Sequence, residues 1–399
     1  MLRLAQLIIC IYVVIVVIDA FSGLPQFDSG WLPLEAQSKN CTLQVPHGLG
    51  QVPRLVEVQV KSIEEPNLGF IFKAIGNGER DDDLNELYGG AIYIYNAIDV
   101  VVFLPNKYNH YAVGAGINTG QSPYWIGPNI QTSRQVNVRV RCWLETALPV
   151  PCYVTSSTVF MKAGSKNPNE TFLELHHQIS KCPDIVKVRA RLTDGLDAGY
   201  YTDAQGTTLY NKGNETSGLK FGFNDVTVRV WAPYRGNVLF TRYDGWGLNP
   251  LPASASSAYL DAIAWCDVTD SYVFSQTIAL NNNSSGSAVE INVPETRVEL
   301  ENLLIYALIK VTTGPNEGFL FETVGSAMTN SLIPRSTCSY GGVVTAFNGS
   351  TLRVWHPTYL GAFVCIADSM GNGNYSQGAK EGDMIFRIMS TLIQGGDES

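Results

Sequence analysis

The chain is expected to be all-β, built as three tandem antiparallel β-sandwich domains of one diverged repeat. Three observations carry that reading: apolar and polar residues alternate with a period of two, one set of Gly, Asn and Pro marks recurs at domain-sized intervals, and long helical periodicity is missing. Alternation buries one face of a strand and wets the other, as antiparallel sheets require.

The strands come first. Val56, Val58 and Val60 alternate with Glu57 and Gln59. Val136, Val138, Val140 and Cys142 alternate with Asn137, Arg139, Arg141 and Trp143, and Val226, Val228 and Val230 with Thr227, Arg229 and Trp231. The marks between them repeat at fixed offsets. Pro53 precedes Gly69-Phe70 and Gly76; Pro183 precedes Gly199-Tyr200 and Gly206; Asn302 takes the proline's place before Gly318-Phe319 and Gly325. Asn67, Asp197 and Asn316 each stand two residues ahead of the first glycine. Asn96, Asn224 and Asn348 precede Pro105, Pro233 and Pro357 by nine residues in each case. Tyr88-Gly89-Gly90 is matched by Tyr340-Gly341-Gly342.

Gly69 and Gly199 are 130 residues apart and Gly199 and Gly318 are 119, which indicates duplicated domains rather than a short-period solenoid. Such Gly and Pro marks are read as backbone determinants, turns that open and close strands, ahead of ligand contacts. The repeats are placed at 23–148, 149–267 and 268–395.

Residues 1–22 read as a cleaved signal peptide. Arg3 supplies the positive start, Leu7 to Ile18 the apolar run and Asp19-Ala20-Phe21-Ser22 the small-residue end. A secreted, extracellular protein follows from that reading, with no transmembrane span after cleavage. N-x-S/T sequons at Asn40, Asn169, Asn214, Asn282, Asn283, Asn348 and Asn374 fit N-glycosylation on the same route. The net charge of −9 argues against nucleic acid as a partner, since phosphate binding needs a basic footprint.

Cys10 lies in the leader, leaving seven cysteines, most of which should pair in an oxidising compartment. The expected bridges are Cys41 with Cys142, Cys182 with Cys266 and Cys338 with Cys365. Cys152 is then left over, free to link an oligomer. No C-x-x-C spacing exists, so a thiolate zinc site is not expected.

The search for chemistry yields no catalytic residues: none of the five histidines falls in H-E-x-x-H, and no G-x-S-x-G or phosphate-binding glycine motif occurs. His47 is matched with His176 as a turn histidine. The acidic run Glu79 to Glu86 offers Asp81, Asp83 and Asn85 at the alternating spacing of a calcium loop. Glu86 where the loop needs glycine, and Ile92 where it needs glutamate, exclude an EF-hand, leaving calcium as the one conceivable cofactor. Trp125, in a Gly/Pro-rich loop, and Asp244 and Trp246, in Asp-Gly-Trp-Gly, are the candidate carbohydrate-binding residues. Asp368-Ser369-Met370-Gly371 resembles the second of these loops.

Phe27-Asp28-Ser29-Gly30-Trp31, His47-Gly48-Leu49-Gly50-Gln51-Val52-Pro53, Tyr-Gly-Gly, Tyr95-Asn96 and Val230-Trp231-Ala232-Pro233 together resemble the repeats of secreted multi-domain proteins of marine invertebrates. That resemblance covers nearly the whole mature chain and implies an extracellular surface or mineralised-matrix role. The opening Gly-Trp and the Pro before an alternating Val strand are also similar to H-type lectin domains, which implies a small sandwich that binds N-acetylgalactosamine. The expected function is therefore a non-enzymatic secreted glycoprotein acting as an extracellular interaction or matrix component, with matrix or glycans as partners. The alternative is an H-type-like lectin using loop aromatics.

Overall fold

In the folded chain, strands pair across the repeat rather than only within it. A computed structural model describes residues 24–76, 86–107, 112–120, 124–155, 159–207, 217–235, 238–242, 245–248, 253–268, 272–282, 288–296, 298–326, 340–358, 361–371 and 378–389. Among these the secondary structure is almost wholly β, and the α-helical part is the single turn Pro168–Thr171, capped by Asn167. Nearly all strand pairs are antiparallel.

Three large sheets form. The first, of nine strands, runs Phe27–Asp28, Gln135–Trp143, Leu55–Ser62, Ile71–Lys73, Val344–Asn348, Thr351–Pro357 and Trp125–Ile126, with Leu32–Glu35 beside Gln135–Trp143 and Val289–Asn292 beside Thr351–Pro357. The second, of eight, runs Tyr153–Val154, Ser257–Trp265, Ile185–Leu192, Tyr201–Asp203, Ile92–Tyr95, Asp99–Phe103 and Thr42–Pro46, with Val159–Lys162 beside Ser257–Trp265. The third, of seven, runs Phe172–His176, Thr227–Trp231, Lys220–Phe223, Leu320–Glu322, Leu304–Val311, Glu381–Met389 and Tyr272–Asn281.

The expectation of three separate tandem sandwiches is therefore corrected. Each sheet takes its long strands from one segment and a hairpin from another: first with third, second with first, third with second. The reason lies in the short strand after each repeated glycine. Ile71–Lys73, Tyr201–Asp203 and Leu320–Glu322 are each paired on one side by their own segment. Their other edge needs partners, and the neighbouring segment supplies them in matched register: Ile71 with Phe347, Tyr201 with Tyr95, Leu320 with Phe223. An open strand edge is thereby covered three times over.

The marks have the turn roles read from the sequence. Gly69, Gly199 and Gly318 have φ of 81°, 91° and 83°. Their N–H groups bond to the carbonyls of Ser62, Leu192 and Val311 at 2.8–2.9 Å. A left-handed residue in the same hydrogen-bonded turn explains glycine in all three copies. Asn96 and Asn224 cap matching hairpins: the side-chain oxygen of each accepts two backbone N–H groups, from Ile98 and Asp99 and from Val226 and Thr227.

A second set of glycines closes the arrangement. A Cβ placed on Gly76 would lie 1.8 Å from the carbonyl oxygen of Asp203; on Gly206, 1.8 Å from that of Glu322; on Gly325, 1.8 Å from that of Lys73. Each segment thus presses a side-chain-free backbone against the next, in a closed cycle of three.

Candidate functional site

The residues three before those glycines, Lys73, Asp203 and Glu322, occupy matched strand ends where the three segments meet. With Glu57, Lys187 and Tyr306 they line a central cavity of about 50 Å³. The two lysines share one carboxylate. Lys187 Nζ lies 2.9 Å and Lys73 Nζ 3.6 Å from Glu322, so segments one and two both pair with segment three. Both ammoniums also lie over the Tyr306 ring, at 4.5 Å for Lys73 and 5.3 Å for Lys187. Asp203 of segment two accepts hydrogen bonds at 2.8 Å from the hydroxyls of Tyr93 and Tyr95 of segment one.

Burial and pairing set the charges. Burial opposes ionisation of Glu322, but Lys187 and Lys73 outweigh it and hold the carboxyl below the usual glutamate range. Burial also disfavours the Lys187 charge, and Glu322 reverses that and raises its pKa. Lys73, more weakly paired, is shifted down by burial. For Asp203 burial prevails over Lys187 and the two tyrosines, and its carboxyl is raised above the ordinary aspartate range.

Arginines extend the cross-links outward. Arg141 pairs with Glu57 at 2.9 Å and donates to the carbonyls of Asn302 and Leu303 of segment three. Arg189 of segment two donates to the Pro53 carbonyl of segment one at 2.8 Å, and Arg387 of segment three to that of Asp184 of segment two. The chemistry of the axis is thus mutual neutralisation. Ammonium and carboxylate groups are spent on one another across segment borders, and the guanidinium groups donate to carbonyls of the neighbouring segment.

The candidate carbohydrate residues are found elsewhere and in another role. Trp125 is 2 % exposed and Trp246 3 % exposed. Trp125 pairs with Pro357 of segment three, and Trp246 bridges Pro105 of segment one, as Met370 bridges Pro233. Their rings pack on Tyr340 and Tyr88. These tryptophans are latches between segments, with no ring face offered to a sugar, because each is buried against a tyrosine of a neighbouring segment. Asp244, Asp81, Asp83 and Asn85 lie outside the described residues, and no metal-holding cluster is found among the described ones.

His47 is matched by His177 and not by His176. Leu49 N–H donates to His47 Nδ1 and His47 Nε2 lies 3.1 Å from the Asn96 carbonyl; Ile179, His177 and Asn224 repeat this. In the third segment Thr296 takes the position, six residues before Asn302 as His177 is before Pro183. A cleft of about 500 Å³ opens there, between segments three and one, lined by Thr296, Glu299, Glu301, Asn348, Lys61 and Ile71 among others.

The sequence matches no family model, and neither curated proteins nor solved structures yield a match.

The cysteines need correction. Cys152, expected to be left over, is bonded to Cys266, and Cys41, Cys142 and Cys182 are free thiols. Strand Tyr153–Val154 pairs with Ala264 and Ile263, which brings the flanking cysteines together. Cys365 is disulfide-bonded, and Cys338 lies outside the described residues. Burial pushes the Cys142 thiol up to about 12 and that of Cys182 up to about 11, and raises Cys41 as well. Thiolates are the reactive form. Peptide mapping of the native chain alkylated at pH 7.5 is therefore expected to recover Cys152 joined to Cys266, with Cys41 and Cys142 modified only after unfolding. Cys152→Ser is expected to lower stability by about 2–4 kcal/mol in urea denaturation.

Of the sequon residues, Asn40, Asn169 and Asn348 are exposed. Asn282 is not a usable acceptor in the folded chain: it is 3 % exposed and its amide donates to the Gly361 carbonyl. Asn214, Asn283 and Asn374 lie outside the described residues.

The axial residues were missed in the sequence. A signal existed: a charged side chain at one fixed offset before the repeated glycine in all three copies.

Proposed function

We propose that this chain is a non-enzymatic extracellular scaffold, an interaction or matrix component whose three repeats act as one rigid body. The observation that carries this reading is the use made of the repeated residues. Gly76, Gly206 and Gly325, the latching tryptophans and the axial charges are engaged in joining segments. A recurring motif absorbed in self-assembly is what a load-sharing unit requires, whereas a recurring binding module would direct it outward. Secretion is the accompanying proposal. The disulfide Cys152–Cys266 suits an oxidising compartment, and exposed Asn40, Asn169 and Asn348 would carry glycans. No described helix is long and apolar enough to cross a membrane. The lectin alternative has lost the exposed rings of Trp125 and Trp246 on which it rested.

The deciding experiment is fractionation of the source tissue, probed with an antibody to the chain. A scaffold stays in the insoluble extracellular fraction through mild salt extraction, and its mass drops on treatment with an N-glycosidase. Recovery in the cytosolic fraction with no such drop would refute the reading. Saturable binding of the purified chain to one sugar class on a glycan array would replace it with the lectin.

A further inference from the structure

Sheet edges are where a β protein adds partners, and proteins blunt them with charges, prolines or brevity. Most edges here are blunted in those ways. Leu32–Glu35 contains Pro33 and Glu35, Thr42–Pro46 ends in proline, and Val159–Lys162 ends in lysine. Phe172–His176 carries Glu174 and Val289–Asn292 carries Glu290, each held by an arginine across the sheet. Phe27–Asp28, Tyr153–Val154 and Trp125–Ile126 have two residues each.

Tyr272–Asn281 breaks the pattern. It is ten residues long, YVFSQTIALN, with no charge and no proline. It replaces the two short, interrupted strands that flank the corresponding long strand in each of the other sheets. Glu381–Met389 pairs with its inner side, without interruption from Phe274 to Asn281 and with one register shift at Val273, which leaves eight regular residues. No described residue pairs with its outer side. Val273, Ser275, Gln276, Thr277 and Ala279 are exposed, Val273 at 43 %. On the other face Phe274 and Ile278 are only partly buried against the third segment's core.

We propose that Tyr272–Asn281 is a self-association edge, on which a second copy of this chain adds its own Tyr272–Asn281 antiparallel. Two features favour a second copy as the occupant. An antiparallel pair of identical strands is related by a two-fold axis, so each residue meets its own set, and a strand without charges presents nothing that repels itself. Edge addition between copies of this repeat is also how the chain assembles internally, at Ile71 with Phe347 and its two counterparts. The dimer joins two third sheets into one continuous sheet and covers Phe274 and Ile278. This deepens the scaffold reading and rests on it, since it supplies the link between units.

The test is sedimentation velocity of the full glycosylated chain between about 1 and 200 µM, a range suited to a small interface. The weight-average mass is expected to rise nearly two-fold. Thr277→Lys puts a like-charge pair at the middle of the proposed seam, from an exposed position that should leave folding intact. It is expected to stay monomeric throughout with an unchanged melting temperature. His176→Lys, on the exposed opposite edge of the same sheet, should still dimerise. Hydrogen exchange at the amides of 273–280 should slow with concentration in the parent chain alone. A parent chain that stays monomeric at the highest concentration overturns the proposal, and so does a dimer unaffected by Thr277→Lys. Either result leaves the tissue fractionation free to succeed, so the two readings fail separately.

Discussion

Gly206→Ala is expected to destabilise the protein by about 3 kcal/mol, read as the loss of folded chain or as the shift in its urea midpoint. The new Cβ would lie 1.8 Å from the Glu322 carbonyl oxygen, 2.7 Å from its carbonyl carbon and 2.7 Å from its nitrogen. Backbone on both sides must move. A flexible side chain could swing away at little cost, but a strand that pairs on both its edges cannot. Leu320–Glu322 is held by Leu304–Val311 on one side and by Phe223 on the other. Gly318→Ala is the control that separates this closure from ordinary glycine strain. Its Cβ meets nothing within 4 Å, and only its φ of 83° opposes the change. A left-handed alanine costs about 1–2 kcal/mol. Equal effects of the two substitutions would show that the contact between segments is not what Gly206 provides. Gly76→Ala and Gly325→Ala should behave as Gly206→Ala does, because the same clash recurs at Asp203 and Lys73.

That contrast also shows where the sequence was readable. Period-two alternation and the left-handed turn at Gly69, Gly199 and Gly318 are local properties, set within a few residues, and their strands and turns are found as expected, but the face expected to be wet is covered: Glu57, Gln59 and Arg141 are buried. Which strand meets which is not local. Ile71 has the same backbone needs whether its outer neighbour is its own segment or Phe347, some 276 residues on in the chain. Exchange between equivalent strands changes the connectivity and leaves every local pattern alone. The same degeneracy misplaced the tryptophans. Trp246 in Asp-Gly-Trp-Gly looks like an exposed loop tip until Pro105 and Tyr88 of another segment cover it. Pairing cysteines by position failed similarly in the first two copies, since Cys152 and Cys266 directly flank paired strands and Cys182 stands three residues from its own. The axial charges are the clearest loss. Lys73, Asp203 and Glu322 read one at a time as polar residues at strand ends, and acquire meaning only once three segments share one axis.

Glu322→Gln should expose what that axis contributes. Removing the carboxylate leaves Lys187 and Lys73 facing an uncharged amide in a cavity from which bulk water is largely kept out. Breaking a buried pair by deleting one partner costs about 3–5 kcal/mol, because the remaining charge is uncompensated. The Lys187 and Glu322 side chains are 14 % and 12 % exposed and that of Lys73 27 %, and Asp203 and Glu57 still act on the lysines, so the lower end of that range is expected in urea denaturation at pH 7. The pH dependence gives a signature that mere misfit would not. In the parent chain the Glu322 carboxyl titrates below its unfolded value, so its contribution is complete above about pH 4.5 and is lost as the pH falls through the lowered folded pKa. In the variant the two lysines should titrate below their unfolded value of about 10.4. The unfolded state then binds more protons than the folded one, and stability rises with pH in that window. Glu322→Gln is therefore expected to regain more stability between pH 7 and 9.5 than the parent chain, in which Lys73 alone of the two lysines is shifted down. A variant with a flat profile across that range would mean that the lysines do not depend on Glu322. The three segments would then be held by their strands, latches and glycine contacts alone.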